Sequence, residues 1–358
     1  MKKMILIIIS AILLTGTCYA DNDEIIDTTD IENAVPEYVD DALDNPSLDE
    51  AVDADGFICK LISFLKAKMQ DTYKPALRRG VLVLIIALIC SSIEVFSADS
   101  SPLYMKLCGC AAISIVCIGD MGSYISIGAE TLKDISDFSN ALLPALCTAG
   151  IICGTPAAAA AKYAASALFM NIFIESAENI ILPMIYAYTA LVVANSAFGG
   201  KVLDGMCNLF KWLCTSLMVV LTLAFTAYLS ISSAVASGGD AVASKAAKTA
   251  ISMVLPVIGG IISDAASTVV AGAETILNIA GVFGLIIVAA ICITPFAVLA
   301  INYLVLKAAS ALSEAFNSGA ASLISGIGNS FGMILAMVGS AGIMMFVSII
   351  SCIKAVGV

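Results

Sequence analysis

The feature that most constrains this chain is a series of apolar runs, each about long enough to cross a membrane as a helix. A membrane-spanning helix needs about 20 predominantly apolar residues. Seven runs approach or exceed that length, and by residue number they occupy 80–97, 103–119, 141–161, 179–196, 213–233, 279–305 and 331–353. Only 13% of the residues are charged, against about a quarter in soluble domains. The sequence therefore predicts an all-α polytopic membrane protein with about seven transmembrane helices.

Three further segments precede the first apolar run. Residues 1–20 combine two lysines, an apolar stretch and a small-residue ending, which is typical of a signal peptide. Residues 21–56 hold half of the 28 acidic residues and no lysine or arginine, so we expect an extracytoplasmic segment that is flexible or folds only on a partner. Residues 57–79 are predicted to form an amphipathic juxtamembrane helix, either on the membrane surface or as a linker in solvent.

Composition also excludes several classes of function. The chain has no histidine and no GxxxxGK[ST] loop, which removes histidine-based catalysis, zinc-histidine sites and an ATP-driven motor within this subunit. The 12 cysteines are scattered, most of them in apolar runs, and are expected to be small packing residues. No basic patch supports nucleic-acid binding. We expect no enzyme activity, no cofactor and no metal.

The prolines indicate an internal duplication. Pro144 and Pro183 are 39 residues apart, Pro256 and Pro295 have the same separation, and the offset between the pairs is 112 residues. After two transmembrane helices in 80–134, the sequence thus predicts a membrane repeat 1 in 135–234 and a membrane repeat 2 in 247–353, each with proline-interrupted helices. Such paired interruptions are found in repeat-built transporters. The alternative is that the prolines merely kink packed helices.

Few charged residues lie within or beside the apolar runs, and such residues are costly in lipid. Glu175 and Glu178 are three apart and share one face of a helix. They either bind a cation or carry protons inside the bundle, or they mark a helix end in the headgroup region. Lys162 is expected to extend its ammonium group to the headgroup region.

The second proposed repeat carries a recognisable motif. Residues 255–269 read LPVIGGIISDAASTV, preceded by the GDAV segment at 239–242 and followed by Pro295. With the signal peptide and the multi-span layout, this resembles the stage III sporulation protein AE family, and the resemblance covers nearly the entire chain. Leu277 and the pair at 296–297 replace lysines of the family pattern. Asp264, within the motif, joins the four prolines, Glu175 and Glu178 as a candidate structural or transport residue.

The resemblance implies a subunit of a secretion-like channel complex between mother cell and forespore, needed for late forespore gene expression. Its implied place is the mother-cell membrane facing the forespore, with residues 21–56 in the intermembrane space. Its implied partners are the other membrane subunits and the ATPase of the same sporulation operon, a forespore partner across the intermembrane space, and the lipid bilayer. The alternative function is a stand-alone secondary transporter of ions or small solutes.

Overall fold

A computed structural model describes residues 29–43, 46, 54–96, 102–119, 121–153, 155–254, 259–315 and 320–354, while the side chains of 232–276 lie outside the description. The predicted signal peptide, 1–20, also lies outside the described residues. Within the described ranges all regular structure is helical: α1 (Thr29–Asn33), α2 (Glu37–Leu43), α3 (Ala54–Phe96), α4 (Pro102–Ile118), α5 (Met121–Ile152), α6 (Pro156–Ser176), a π turn (Ala177–Ile181), α7 (Leu182–Phe198), α8 (Lys201–Val254), α9 (Gly259–Ala315) and α10 (Ala321–Lys354).

The predicted fold class is confirmed. Six stretches of the described helices are long and apolar enough to cross a membrane: Ile62–Ser92, Leu107–Ile152, Pro156–Phe198, Lys201–Ile231, Leu277–Ala315 and Ala321–Ile353. The expected number of about seven is close to six. The two numbers differ because the predicted run 103–119 and the first part of 141–161 fall within one stretch.

The predicted run 141–161 is not one helix. Helix α5 ends at Ile152 and α6 begins at Pro156, since proline lacks a backbone N–H and fits the first turn of a helix. At the corresponding place in the second proposed repeat, residues 266–268 contain neither glycine nor proline, and α9 continues through them. The two proposed repeats therefore differ in helix layout, and the duplication stays a prediction.

Several helices are longer than one membrane crossing requires. Helix α3 joins the predicted segments 57–79 and 80–97 in 43 continuous residues. The stretch Pro156–Phe198 also has 43 residues, which at 1.5 Å per residue is about 64 Å. The hydrocarbon core of a bilayer is about 30 Å thick. Parts of these helices therefore extend beyond a single bilayer core or are covered by protein.

The centre of the bundle is the antiparallel pair α9 and α10. In the most apolar window of each of these two spans 56% of the residues are buried, against 22% in the spans of α3 and α8. The two helices approach closely at glycines: a Cβ added to Gly339 would lie 3.1 Å from the ring of Phe296, and one added to Gly342 would lie 3.0 Å from the Sγ of Cys292. Helices α3 and α8 expose more apolar surface and form the outside of the bundle.

Part of the acidic segment is folded onto this bundle, which differs from the flexible segment expected for 21–56. Four apolar side chains of the segment are buried: Ile31 in α1, Val35 in the turn that follows it, and Val39 and Leu43 in α2. The hydroxyl of Tyr38 donates a hydrogen bond to the Oδ2 of Asp134 on α5, at 3.0 Å. The segment has few apolar residues, but these four belong to the hydrophobic core of the bundle.

The Tyr38 hydroxyl is a stable donor in this contact. Burial and the neighbouring Asp134 carboxylate raise the pKa of Tyr38 well above its usual value of about 10. The phenol therefore keeps its proton throughout the neutral range.

A second contact fixes the end of α2, because the Nζ of Lys60 on α3 donates to the backbone oxygen of Leu43 at 3.1 Å.

Replacing Val39 by aspartate is expected to release residues 29–43 from the bundle, because Val39 is fully buried and an unpaired buried carboxylate is strongly unfavourable. Hydrogen–deuterium exchange of the purified chain should show at least about tenfold faster exchange in this segment. The control Asn33→Asp adds the same charge at an exposed position of α1 and should leave exchange unchanged. Slow exchange in Val39→Asp would contradict the docked arrangement.

Candidate functional site

Three of the four repeated prolines fall within the described residues. Pro144 lies inside α5, Pro183 in the first turn of α7, and Pro295 is buried inside α9. Pro256 lies outside the described residues, and so does the side chain of Asp264. The three described prolines are thus on three different helices. Pro144 and Pro295 each remove one backbone hydrogen bond from the interior of their helix, and Pro183 follows the π turn Ala177–Ile181.

Glu175 and Glu178 do not mark a helix end. Helical structure continues from Pro156 to Phe198, and the pair lies near the middle, where the π turn Ala177–Ile181 separates α6 from α7. Such π turns inside α-helices are often found at functional sites. Both carboxylates are exposed on the outside of the described structure. They therefore do not line an interior path through this chain.

The packing of α6 on α8 shows where Glu175 and Glu178 lie along the length of the bundle. Gly199 and Gly200, both with positive φ, reverse the chain between α7 and α8. The ring of Phe169 then packs against Phe225 and Tyr228 of α8, with centroids 5.7 and 5.6 Å apart. The π turn therefore lies beside the apolar run 213–233 of α8. The two carboxylates are on the outer face of the candidate membrane span Pro156–Phe198.

A partly buried polar contact that was not predicted centres on Arg79. Its Nη1 donates to the hydroxyl of Tyr124 at 2.7 Å and to the Oδ1 of Asn302 at 2.6 Å, and its Cζ lies 5.4 Å from the centre of the Tyr124 ring. Asn302 is 3% exposed, and its Nδ2 donates to the backbone oxygen of Val298 at 2.7 Å. Because arginine is always protonated, this contact places a permanent positive charge between α3, α5 and α9.

Further polar pairs connect α10 to its neighbours. The ring of Tyr124 packs edge-on against Phe331, with centroids 4.9 Å apart, and so brings the Arg79 contact next to α10. The pairs, with the distances between their polar atoms, are Asn329 with Tyr188 (3.2 Å), Thr189 with Ser330 (2.8 Å) and Lys307 with Ser325 (2.9 Å). We call these three pairs and the Arg79 contact the polar seam. Hydrogen bonds of this kind between membrane helices are worth about 1 kcal/mol each and fix helix positions.

Lys162 is buried inside the bundle rather than extended to the headgroup region. It is 1% exposed, and its Nζ donates to the backbone oxygen of Ser351 at 2.5 Å. Ser351 belongs to the last turn of α10, where backbone oxygens have no partner within the helix. A positive charge is also favourable beside the negative end of the helix dipole. Lys162 therefore caps the C-terminal end of α10.

The chemistry of the polar seam is that of hydrogen-bond donors and acceptors. Among the described residues, no group of three or more His, Cys, Asp or Glu side chains could hold a metal ion. The seam connects α3, α5, α7, α9 and α10, and so fixes the central pair of helices relative to three of its neighbours. We take it as the candidate functional site because polar side chains inside membrane helices are costly and usually serve a function.

One sequence signal could have identified the seam. Asn302 is an amide inside the long apolar run 279–305, where a polar side chain needs a partner on another helix. Arg79 directly precedes the first apolar run, and by composition it counts as one of several cations at the membrane surface. The sequence does not show that these two residues meet.

Comparisons with known proteins complete the description of the site. The family model described as stage III sporulation protein AE matches residues 38–356, a range that includes the polar seam. The chain is similar to stage III sporulation protein AE of Bacillus subtilis (strain 168), with 22% identity over 265 residues. This match covers 72% of the chain and 66% of the relative, just under two thirds of the relative's length. No solved structure matches.

Proposed function

Because this chain belongs to the stage III sporulation protein AE family, we propose that it is a non-enzymatic membrane subunit of a sporulation-specific channel complex that links mother cell and forespore. The observation that carries this proposal is the family match over residues 38–356. All six candidate membrane spans, from Ile62 to Ile353, fall inside that range. The complex would support late gene expression in the forespore.

The proposed place is the mother-cell membrane that faces the forespore, with the N-terminal acidic segment in the intermembrane space. The proposed partners are the other membrane subunits and the ATPase of the same operon, and a forespore protein across that space. The outer helices support assembly with lipid and with neighbouring subunits. Large apolar side chains such as Trp212, Val220 and Leu223 of α8 are at least 60% exposed.

In this proposal the polar seam holds the subunit as one unit within the complex. A channel subunit must keep its helices in place while neighbouring proteins move or pass force to it. Hydrogen bonds between helices in lipid serve this purpose because the alternative is an unsatisfied polar group. By contrast, Glu175 and Glu178, the carboxylate pair that the sequence offered to a stand-alone transporter, face outward in the described structure.

The gene deletion strain tests the proposal. A fluorescent reporter of late forespore transcription should remain silent in forespores that are engulfed normally, and vegetative growth should be unchanged. A copy of the gene supplied in the mother cell should restore the reporter, whereas a copy expressed in the forespore should not. Normal spores, or a defect limited to solute uptake during growth, would contradict the channel proposal and favour the transporter.

A further inference from the structure

An open cavity with a cationic lining lies between α3 and α4. Its volume is about 470 Å³, and the residues that line it are Lys74, Pro75, Arg78, Arg79, Leu82 and Val116. This volume lies within the range of sites for small molecules. The three charged residues among these six are all cations. The cavity therefore favours an anionic ligand.

The chemistry of the three cations suits a phosphate group. Lys74 and Arg78 are four residues apart on α3, so they share one face of the helix, and both are exposed. The guanidinium of Arg79 is held in place by its hydrogen bonds to Tyr124 and Asn302. Guanidinium groups pair with two phosphate oxygens at once, and lysine adds a compact charge. An arginine fixed in position loses little freedom when the phosphate binds.

Apolar side chains, among them Leu82 and Val116, form the rest of the cavity lining on the outer surface of the bundle. Leu82 is 44% exposed, and Val116 is half-buried on α4. The two helices run antiparallel here, since a Cβ added to Gly109 would lie 2.7 Å from the Sγ of Cys90 at a point further along α3. The cavity thus offers a cationic end and an apolar wall side by side.

The cavity lies at the end of a helix whose length is close to one membrane crossing. Helix α4 has 17 residues, about 26 Å in length, and this is close to the thickness of the hydrocarbon core, about 30 Å. The cations lie level with the C-terminal end of α4, near the middle of α3 and directly before its apolar run 80–97. If the pair spans the core, the cations lie at the level of the lipid headgroups.

We propose that this cavity binds an anionic phospholipid, with the headgroup phosphate on Lys74, Arg78 and Arg79 and one acyl chain along Leu82 and Val116. A free phosphate ion would leave the apolar wall without a partner. An acidic peptide would have to approach through the lipid-facing side of α3 and α4. The phospholipid satisfies both kinds of lining at once.

Native mass spectrometry of the purified full chain in detergent tests this proposal. The chain is titrated with short-chain phosphatidylglycerol, with phosphatidylcholine of the same chain length, or with inorganic phosphate. Phosphatidylglycerol should bind more tightly than either of the others. The double variant Lys74→Gln/Arg78→Gln should lose about tenfold or more of this affinity. Arg79 is left unchanged because it also holds three helices together.

The matched control is Lys201→Gln/Lys211→Gln, which removes two exposed lysines from α8. It should keep the full affinity for phosphatidylglycerol, and the circular dichroism of both double variants should match that of the parent. Three results would overturn the proposal: equal binding of phosphatidylcholine, equal losses in both double variants, or displacement of phosphatidylglycerol by inorganic phosphate at the same concentration. The last result would identify an anion site without a lipid.

Discussion

Replacement of Arg79 by leucine is expected to lower the free energy of unfolding of the bundle by about 2 kcal/mol, because the buried Asn302 and the partly buried Tyr124 then lose their donor. The Oδ1 of Asn302 and the hydroxyl of Tyr124 each accept a short hydrogen bond from Arg79. Leucine fills part of the space but offers no hydrogen. Denaturant unfolding in detergent micelles measures the loss, and sporulation by a strain that carries only this variant measures its consequence.

The neighbouring arginine provides the control. Arg78 is exposed, and Arg78→Leu should change the free energy of unfolding by less than about 0.5 kcal/mol. A lysine at position 79 keeps the charge but lacks the planar guanidinium whose Nη1 donates to both partners, so its effect should be intermediate. Equal effects of the leucine substitutions at 78 and 79 would show that the Arg79 contact does not stabilise the bundle.

Replacement of Gly326 by alanine is expected to destabilise the bundle by about 2 kcal/mol through overpacking. A Cβ at this position would lie 2.4 Å from one Cγ of Val192 and 3.3 Å from its Cβ. Because valine has a single preferred rotamer in a helix, it cannot turn away, and α7 has to move from α10. Thermal unfolding of the purified chain would measure this loss.

Position 328 gives a matched test on the same helix. A Cβ on Gly328 would lie 3.5 Å from Leu306, an ordinary contact distance, so Gly328→Ala should be neutral or slightly stabilising through its helix propensity. The second substitution Val192→Ala should recover most of the loss caused by Gly326→Ala, which gives a coupling energy between neighbours. If Gly326→Ala is as stable as Gly328→Ala, α7 and α10 are not packed as closely as described.

The membrane fold could be predicted because it depends on the length and composition of single segments. An apolar run of about 20 residues has few alternatives to a membrane helix. The break before Pro156 was also visible in the sequence, but the apolar content on both sides made 141–161 resemble one span. The sequence did not predict the burial of Ile31, Val35, Val39 and Leu43, because acidic residues surround them in the chain.

The polar seam could not be predicted because its partners are far apart in the chain. Arg79 and Asn302 are separated by 223 residues, and nothing local to either residue specifies the other. The role of Lys162 could not be predicted either, because its partner Ser351 is also distant in the chain. A lysine near the end of an apolar helix has the same sequence pattern whether it extends to the headgroups or caps another helix. Only the packing of α6 against α10 distinguishes these two roles.

The contact between Lys162 and Ser351 has a consequence for biosynthesis. The two residues are 189 positions apart, and at 5 to 20 residues per second the ribosome needs about 10 to 40 s to reach the second after the first. During that time α6 carries a cation whose acceptor does not yet exist. We therefore expect Lys162 to take its final position only after α10 has been inserted.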